Sequence, residues 1–379
     1  MHVMVVPSWY SHKENKVHGS FFKEQFIALQ EKGCKVTVAY NEIWPITKLF
    51  RIKDKRGINF EIEDGLRTYR YKDYNYLPKN SNMFKLFNKR MEKLYLEILK
   101  KEGKVDVIHA HSAFWGGISA AYVAKKYNIP FVLTEHSSLR DSMYVKKSYE
   151  KWIKRAYDSS DKLICVGNSL KQELQNYTDN DILVIHNMLD YDIFKPKNKQ
   201  RMHTIELFSL AYLVEGKGMD RLIRSFSNCF RGKNINLKIG GDGVLREELA
   251  ELIKSLNMEN QIKLLGALSR EEVVQHMNDC DAFVLASEHE TFGMVYIEAN
   301  ALGKPVLGTK NGGAEDIINE INGIIVENRS DKAFEEGLKS LVNEIDRFDS
   351  DKIREDSKSR FSKEVIINKI IKLYENLKE

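Results

Sequence analysis

Proline is scarce, at 6 of 379 residues, and glycine reaches only 22, so collagen-like and proline-rich readings fail. Cysteine is scarcer still. Cys34, Cys165, Cys229 and Cys280 stand far apart and form no C-x-x-C pair. That spacing argues against a disulfide framework or a structural zinc site and for buried thiols in a reducing compartment. No run approaches the roughly 18 apolar residues of a membrane-spanning helix. The opening Met1-His2-Val3-Met4-Val5-Val6-Pro7 reads as a strand and lacks the basic start and long apolar stretch of a signal peptide. A soluble, cytoplasmic protein is expected.

What is present is a core-forming composition, 42% hydrophobic, in a chain long enough for two domains. Charge is unevenly placed. Residues 1–196 carry 32 Lys+Arg against 23 Asp+Glu, a net +9, while the remainder is −4. Much of the basic excess falls in Lys79–Lys104, where lysines and arginines interleave with Met83, Phe84, Phe87, Met91, Leu94 and Ile98. Two readings stand for this stretch: a core-packed helix with a solvated face, or a helix resting on an anionic membrane surface. No zinc-finger or RNA-binding motif accompanies the charge, so nucleic acid is not an expected partner.

Short apolar runs alternate with amphipathic ones. Strands are predicted at 3–6, 36–40, 105–110, 131–134, 163–166 and 183–185, then again at 207–211, 237–239, 262–264, 282–285, 305–307 and 324–326. Helical patterns lie between them. The alternation predicts an α/β fold of two Rossmann-like, doubly wound parallel-sheet domains. The boundary is predicted in the polar, Pro-containing run Phe194–Gln200, giving domains at 1–196 and 197–360 and an amphipathic terminal helix over 361–379. Ligands of such sheets bind outside the carboxyl ends of the strands, which points to a cleft between the domains.

One segment concentrates the chemistry. Ala286–Ala299 follows a predicted strand and opens an apolar helix, so Glu290 belongs to the loop and Glu298 lies about one turn into the helix. Backbone N–H groups of Phe292, Gly293 and Met294 at the helix entrance suit an anion. Carboxylates on either side suit hydroxyl-rich rings, because an ionised carboxylate accepts from paired OH groups. A diphosphate between two such rings is a nucleotide sugar. Lys217, in the Gly-flanked loop Glu215-Gly216-Lys217-Gly218, adds a point charge for phosphate. That loop is not a Walker-type P-loop. Gly240-Gly241-Asp242-Gly243 is not a dinucleotide fingerprint either, because Arg246 occupies the third glycine position.

Together these segments resemble the family 4 glycosyltransferases (glycosyltransferase group 1), whose B-type fold has two Rossmann-like domains. The pattern Glu290-x7-Glu298 with interior Phe292-Gly293 is the specific element. Lys217-Gly218, Gly241-Asp242-Gly243, Leu265-Gly266 and Asn311-Gly312-Gly313-Ala314-Glu315 fall in the family's order. Gly19-Ser20-Phe21-Phe22 and Asp106-Val107-Ile108-His109-Ala110-His111 match in the first half. The resemblance implies that Lys217 binds the donor diphosphate. It puts Glu290, Thr291, Phe292, Gly293 and Met294 at the transferred sugar and phosphates, and Glu298 at the ribose. It brings Gly241 and Leu268 near the base, and Gly19 to the phosphates or the acceptor. His136, in Thr134-Glu135-His136, matches a histidine near the reacting centre, and His111 is a second candidate for orienting the acceptor or relaying its proton.

The resemblance further implies a retaining, metal-independent transferase with no cofactor beyond its nucleotide-sugar donor, most commonly a UDP-sugar. Its acceptor would be a carbohydrate, lipid-linked or protein-linked hydroxyl in cell-surface polysaccharide, glycolipid or glycoprotein assembly, at the inner face of the membrane if the basic first half binds there. A nucleotide-sugar epimerase on the same fold and a non-catalytic partner of an active transferase are the rival readings. One position departs from the family. Tyr212 stands where an Arg usually gives a second diphosphate contact, with Arg140 and Arg221 as compensating candidates. Two D-x-D triplets, Asp179-Asn180-Asp181 and Asp190-Tyr191-Asp192, resemble metal-binding triplets of the other major glycosyltransferase fold but lie in a pre-strand turn and at the domain boundary.

Overall fold

Strands that are buried along their whole length, rather than alternating, form the middle of both sheets. His2–Pro7, Val107–His111 and Phe131–Glu135 are buried at every position, as are Ala282–Leu285 and Val306–Thr309. Such strands need helices on both faces, the condition of a parallel α/β sheet. The computed structural model describes residues 1–11, 19–49, 51–139, 145–197 and 204–377.

The chain divides into two compact units, one of Met1–His186 with the chain's end from Ile367, the other of Asn187–Ile366. The first holds β1 (His2–Pro7), β2 (Lys35–Trp44), β3 (Gly57–Glu63), β4 (Leu66–Tyr74), β5 (Val107–His111), β6 (Phe131–Glu135), β7 (Lys162–Cys165) and β8 (Ile182–Val184). These make one eight-stranded sheet in the order β3-β4-β2-β1-β5-β6-β7-β8, parallel except for the β3–β4 hairpin. Its helices are α1 (Ser20–Glu31), α2 (Met83–Glu102), α3 (Ile118–Tyr127), α4 (Lys147–Asp158) and α5 (Asn168–Leu174).

The second unit holds β9 (Ile205–Leu210), β10 (Ile235–Gly240), β11 (Ile262–Gly266), β12 (Ala282–Leu285), β13 (Val306–Thr309) and β14 (Gly323–Val326). They form an all-parallel sheet in the order β11-β10-β9-β12-β13-β14. With it go α6 (Met219–Phe230), α7 (Arg246–Ser255), α8 (Arg270–Asp279), α9 (Met294–Ala301), α10 (Ala314–Ile317), α11 (Asp331–Asn343) and α12 (Ser350–Phe361), before α13 (Lys363–Asn376) carries the chain back to the first unit. In both sheets the strand order reverses at one point, between β1 and β5 and between β9 and β12. These switch points open crevices at the strands' carboxyl ends.

Two sequence expectations need correction. The division falls at residue 186/187, not at Pro196, because Leu189–Phe194 pack on α12: Arg354 donates to the carbonyls of Tyr191 and Phe194, and Tyr191 pairs with Ser357. Residues 198–200 of the expected linker lie outside the described residues. The expected terminal helix is present as α13, set off at Ser362 from α12, whose last residue Phe361 packs on Phe292 in the second unit. The β3–β4 hairpin lies outside all the expected strands. As for Lys79–Lys104, α2 turns Met83, Phe84, Phe87, Met91, Leu94 and Ile98 inward, so its apolar face is core, while its lysines and Leu96 meet solvent. Among the described residues no helix is long and apolar enough to cross a membrane.

Candidate functional site

At the second unit's switch point two loops are stitched together. The loop after β9 ends at Gly218, the N-cap of α6, with φ +63. A Cβ there would lie 2.2 Å from the Ala286 carbonyl oxygen, so only glycine lets the β9 loop approach the β12 loop this closely. Glu288 N–H donates to the Gly216 carbonyl at 2.7 Å. This clasp delivers Lys217 to Glu290: Nζ donates to Oε1 at 2.7 Å, with both side chains partly buried. The Glu290 loop is held from its other side by β13, since Glu290 N–H donates to the Asn311 carbonyl at 2.9 Å. Asn311 in turn accepts from Gly313 and Ala314 and donates to the buried Tyr296 hydroxyl.

Thr291, Phe292 and Gly293 complete the turn into α9. Gly293 is the N-cap, and no side chain caps the helix end, which leaves a dipole terminus facing the Lys217–Glu290 pair's own loop. Met294 is the first residue of α9 and Glu298 lies one turn further, half-buried. Gly241 closes the third side: at φ +119 its Cβ would fall 1.8 Å from the Ala211 carbonyl, while its N–H donates to Gly266. Leu268 packs over Gly240 at the end of β10. The structure thus brings Lys217, Glu290, Thr291, Phe292, Gly293 and Met294 to the adjoining β9, β12 and α9 ends, with Gly241 and Leu268 on the neighbouring β10 and β11 loops. Tyr212 is 71% exposed beside this rim. Of the two compensating candidates, Arg221 is engaged by Asp331 and Glu288, and Arg140 lies outside the described residues.

The first unit's switch point is built differently. Gly19 caps α1 at φ +74, close against the Trp9 carbonyl, and α1 lays Phe21 and Phe22 on His136 and Phe22 and Phe26 on His111. His111 Nδ1 and His136 Nε2 are 3.0 Å apart. His111 is wholly buried and His136 nearly so, which makes His111 a support for His136 rather than a group at the surface. Behind them His109 pairs with Thr134 and with the Tyr374 hydroxyl brought back by α13. Burial, with a smaller contribution from His136, drives His109 down to about 3, and burial holds His111 well below its ordinary range. Both rings are neutral at neutral pH.

Sequence reasoning missed Glu135. Its buried carboxylate accepts from the N–H groups of Ala113, His136 and Ser137 and from the Tyr157 hydroxyl, and so fixes the loops that carry both candidate histidines. Burial raises its pKa against those donors. A carboxylate at the end of a strand buried at every position was the available signal. Among the described residues no three His, Cys, Asp or Glu side chains converge as metal ligands, and Asp190 of the second D-x-D triplet pairs with Lys363.

Two family models together span almost the whole chain: "Glycosyltransferase Family 4" over residues 22–193 and "Glycosyl transferases group 1" over 190–378. An uncharacterized glycosyltransferase of Methanocaldococcus jannaschii is 32% identical over 292 residues, covering 76% of this chain and 80% of its own length. One chain of the human phosphatidylinositol N-acetylglucosaminyltransferase is 27% identical over 297 residues, covering 77% of this chain and 60% of its own length. Anabaena HepE, solved in complex with UDP, superposes with a TM-score of 0.73 at 16% identity, covering 99% of this chain and 100% of its own.

Proposed function

Since the chain belongs to the family 4, group 1 glycosyltransferases and has their B-type fold, we propose that it moves a sugar from a nucleoside diphosphate sugar, most simply a UDP-sugar, to an acceptor hydroxyl with retention and without a metal. The observation that carries this reading is the Lys217–Glu290 pair, set across the β9/β12 switch point beside the uncapped start of α9. An ammonium group and a helix dipole meet a departing diphosphate with positive charge, the role a divalent ion would otherwise take. Glu290 is placed to accept from sugar hydroxyls once Lys217 turns to phosphate. Glu298 serves the ribose.

In the retaining step the bond from the anomeric carbon to the diphosphate oxygen breaks. The acceptor oxygen bonds to that carbon on the same face, and its proton passes to the leaving phosphate. No covalent enzyme intermediate is needed. His136 orients the acceptor, and His111 acts through it as a positioning residue. The UDP bound by HepE and the phosphatidylinositol in the human relative's name support a uridine donor and a glycoconjugate acceptor in cell-surface assembly. The lysine-rich surface of α2 favours an acceptor at an anionic membrane.

The exposed Tyr212 supports one second reading, a non-catalytic partner with a weakened diphosphate grip. A donor-turnover assay with UDP-sugars and acceptor extracts, in EDTA, separates the two. Acceptor-dependent UDP release that Glu290→Gln abolishes supports the transferase. No release from any donor supports the partner reading.

A further inference from the structure

We propose that the outer edge of the first unit's sheet is a self-association surface, where two copies of this chain pair β3 with β3 across a two-fold axis at Phe60. β3 ends the sheet, with β4 on its inner side and no described strand on its outer side. Its outward main-chain groups are a template for another strand. Three usual safeguards are missing, since Gly57-Ile58-Asn59-Phe60-Glu61-Ile62-Glu63 has no proline, no lysine and no bulge in its register with β4, and its charges, Glu61 and Glu63, alternate with the apolar face. Along one face Ile58, Phe60 and Ile62 are 37%, 38% and 64% exposed. On that face Tyr69 of β4 is buried, its hydroxyl on Glu102 of α2 and its ring against Phe60, so helix cover reaches β4 and stops short of β3.

The sequence of the edge selects a second copy of itself. Antiparallel pairing centred on Phe60 sets Phe60 against Phe60, Ile58 against Ile62 and Asn59 against Glu61. It sets Gly57 against Glu63, and Arg56 against Asp64, both mostly exposed with Asp73 and Lys23 as their partners within the chain. Every apolar side chain meets an apolar one, no carboxylate faces another, and the flanking charges are opposite. Moving the axis to Glu61 brings two glutamates together and sets Ile58 against Asp64. Moving it to Asn59 sets Ile62 against Arg56. Three apolar side chains per copy make a small interface, so the dimer is expected to be weak and concentration-dependent.

Directly opposed residues of an antiparallel pair lie about 4.5–5.5 Å apart at Cα, inside the span a disulfide bridges. The four native cysteines are buried, so introduced ones report alone. Under mild oxidation of the full chain, Phe60→Cys should run as a covalent dimer. Ile58→Cys alone should stay monomeric but cross-link when mixed with Ile62→Cys. In sedimentation equilibrium the wild type should shift from monomer to dimer as concentration rises, and Ile62→Lys should lose that shift while keeping its thermal midpoint. Ile58→Cys cross-linking with itself as fast as Phe60→Cys would overturn the register. A wild type that is monomeric throughout, or whose β3 is protected from hydrogen exchange only when anionic vesicles are added, would overturn the self-association.

Discussion

The two switch points use the same architecture and opposite electrostatics. Between β9 and β12 the crevice keeps charge within reach of water: the Lys217 and Glu290 side chains are 25% and 16% exposed and paired at 2.7 Å. Between β1 and β5 it is filled by Phe22, Phe26, His109 and His111, and the imidazoles are neutral because burial makes charging them costly. A charged ligand can exchange places with an ion pair that solvent already reaches. It gains nothing from rings that cannot ionise. On the proposed function, this difference suits the second unit to anion binding and the first to orienting a neutral hydroxyl.

Substitution at the second unit's charged pair tests that assignment hardest. Glu290→Gln should cut transfer by about a thousandfold or more, the scale of losing a positioned polar group at the reacting centre. Its thermal midpoint should hardly move, because the residue sits in a loop. Turnover near wild type would remove Glu290 from the mechanism.

The next effect belongs to the first unit and reads its neutrality directly. His109 titrates lower folded than unfolded, so the unfolded chain binds more protons between its ordinary 6.5 and about 3. Stability is therefore complete above 6.5 and is lost as pH falls toward 3, with His109 alone contributing roughly 3 kcal/mol of loss by pH 4.5. His111 acts in the same direction, and Glu135, whose carboxyl is raised by burial, acts in the opposite one. Urea midpoints at pH 7 and 4.5 should converge in His109→Gln relative to wild type. An unchanged pH slope would mean the imidazole is charged.

Lys217→Ala should weaken UDP binding about 10- to 100-fold, as expected for one charge-assisted contact of about 1.5–3 kcal/mol. Stability should change little, since a partly exposed pair contributes modestly. Smallest is Tyr374→Phe, which removes the hydroxyl that α13 brings to His109 and should cost about 1 kcal/mol. A loss confined to the acid limb would show that the bond matters only through His109 ionisation.

Much of this organisation was legible because parallel strands buried on both faces are written as apolar runs. Where two backbones meet too closely for a Cβ, the sequence must carry glycine, which is why Gly218 and Gly241 stand in the loops after β9 and β10. The hairpin was hidden for the opposite reason. An edge strand alternates apolar and polar residues, and β4 is rich in Tyr and Arg. The Asp64-Gly65 turn, with φ 49 and 83, was the signal passed over. Glu135 and Tyr374 act through partners set by tertiary packing, and Tyr374 lies 265 residues from His109, a separation no local pattern encodes.

Calorimetric titration of UDP into the wild-type protein and into Lys217→Ala, both in EDTA, tests the central assignment most directly. We expect saturable binding by the wild type that the substitution weakens by at least about tenfold. Equal affinity in the two proteins, or binding that appears only when a divalent ion is restored, would contradict it.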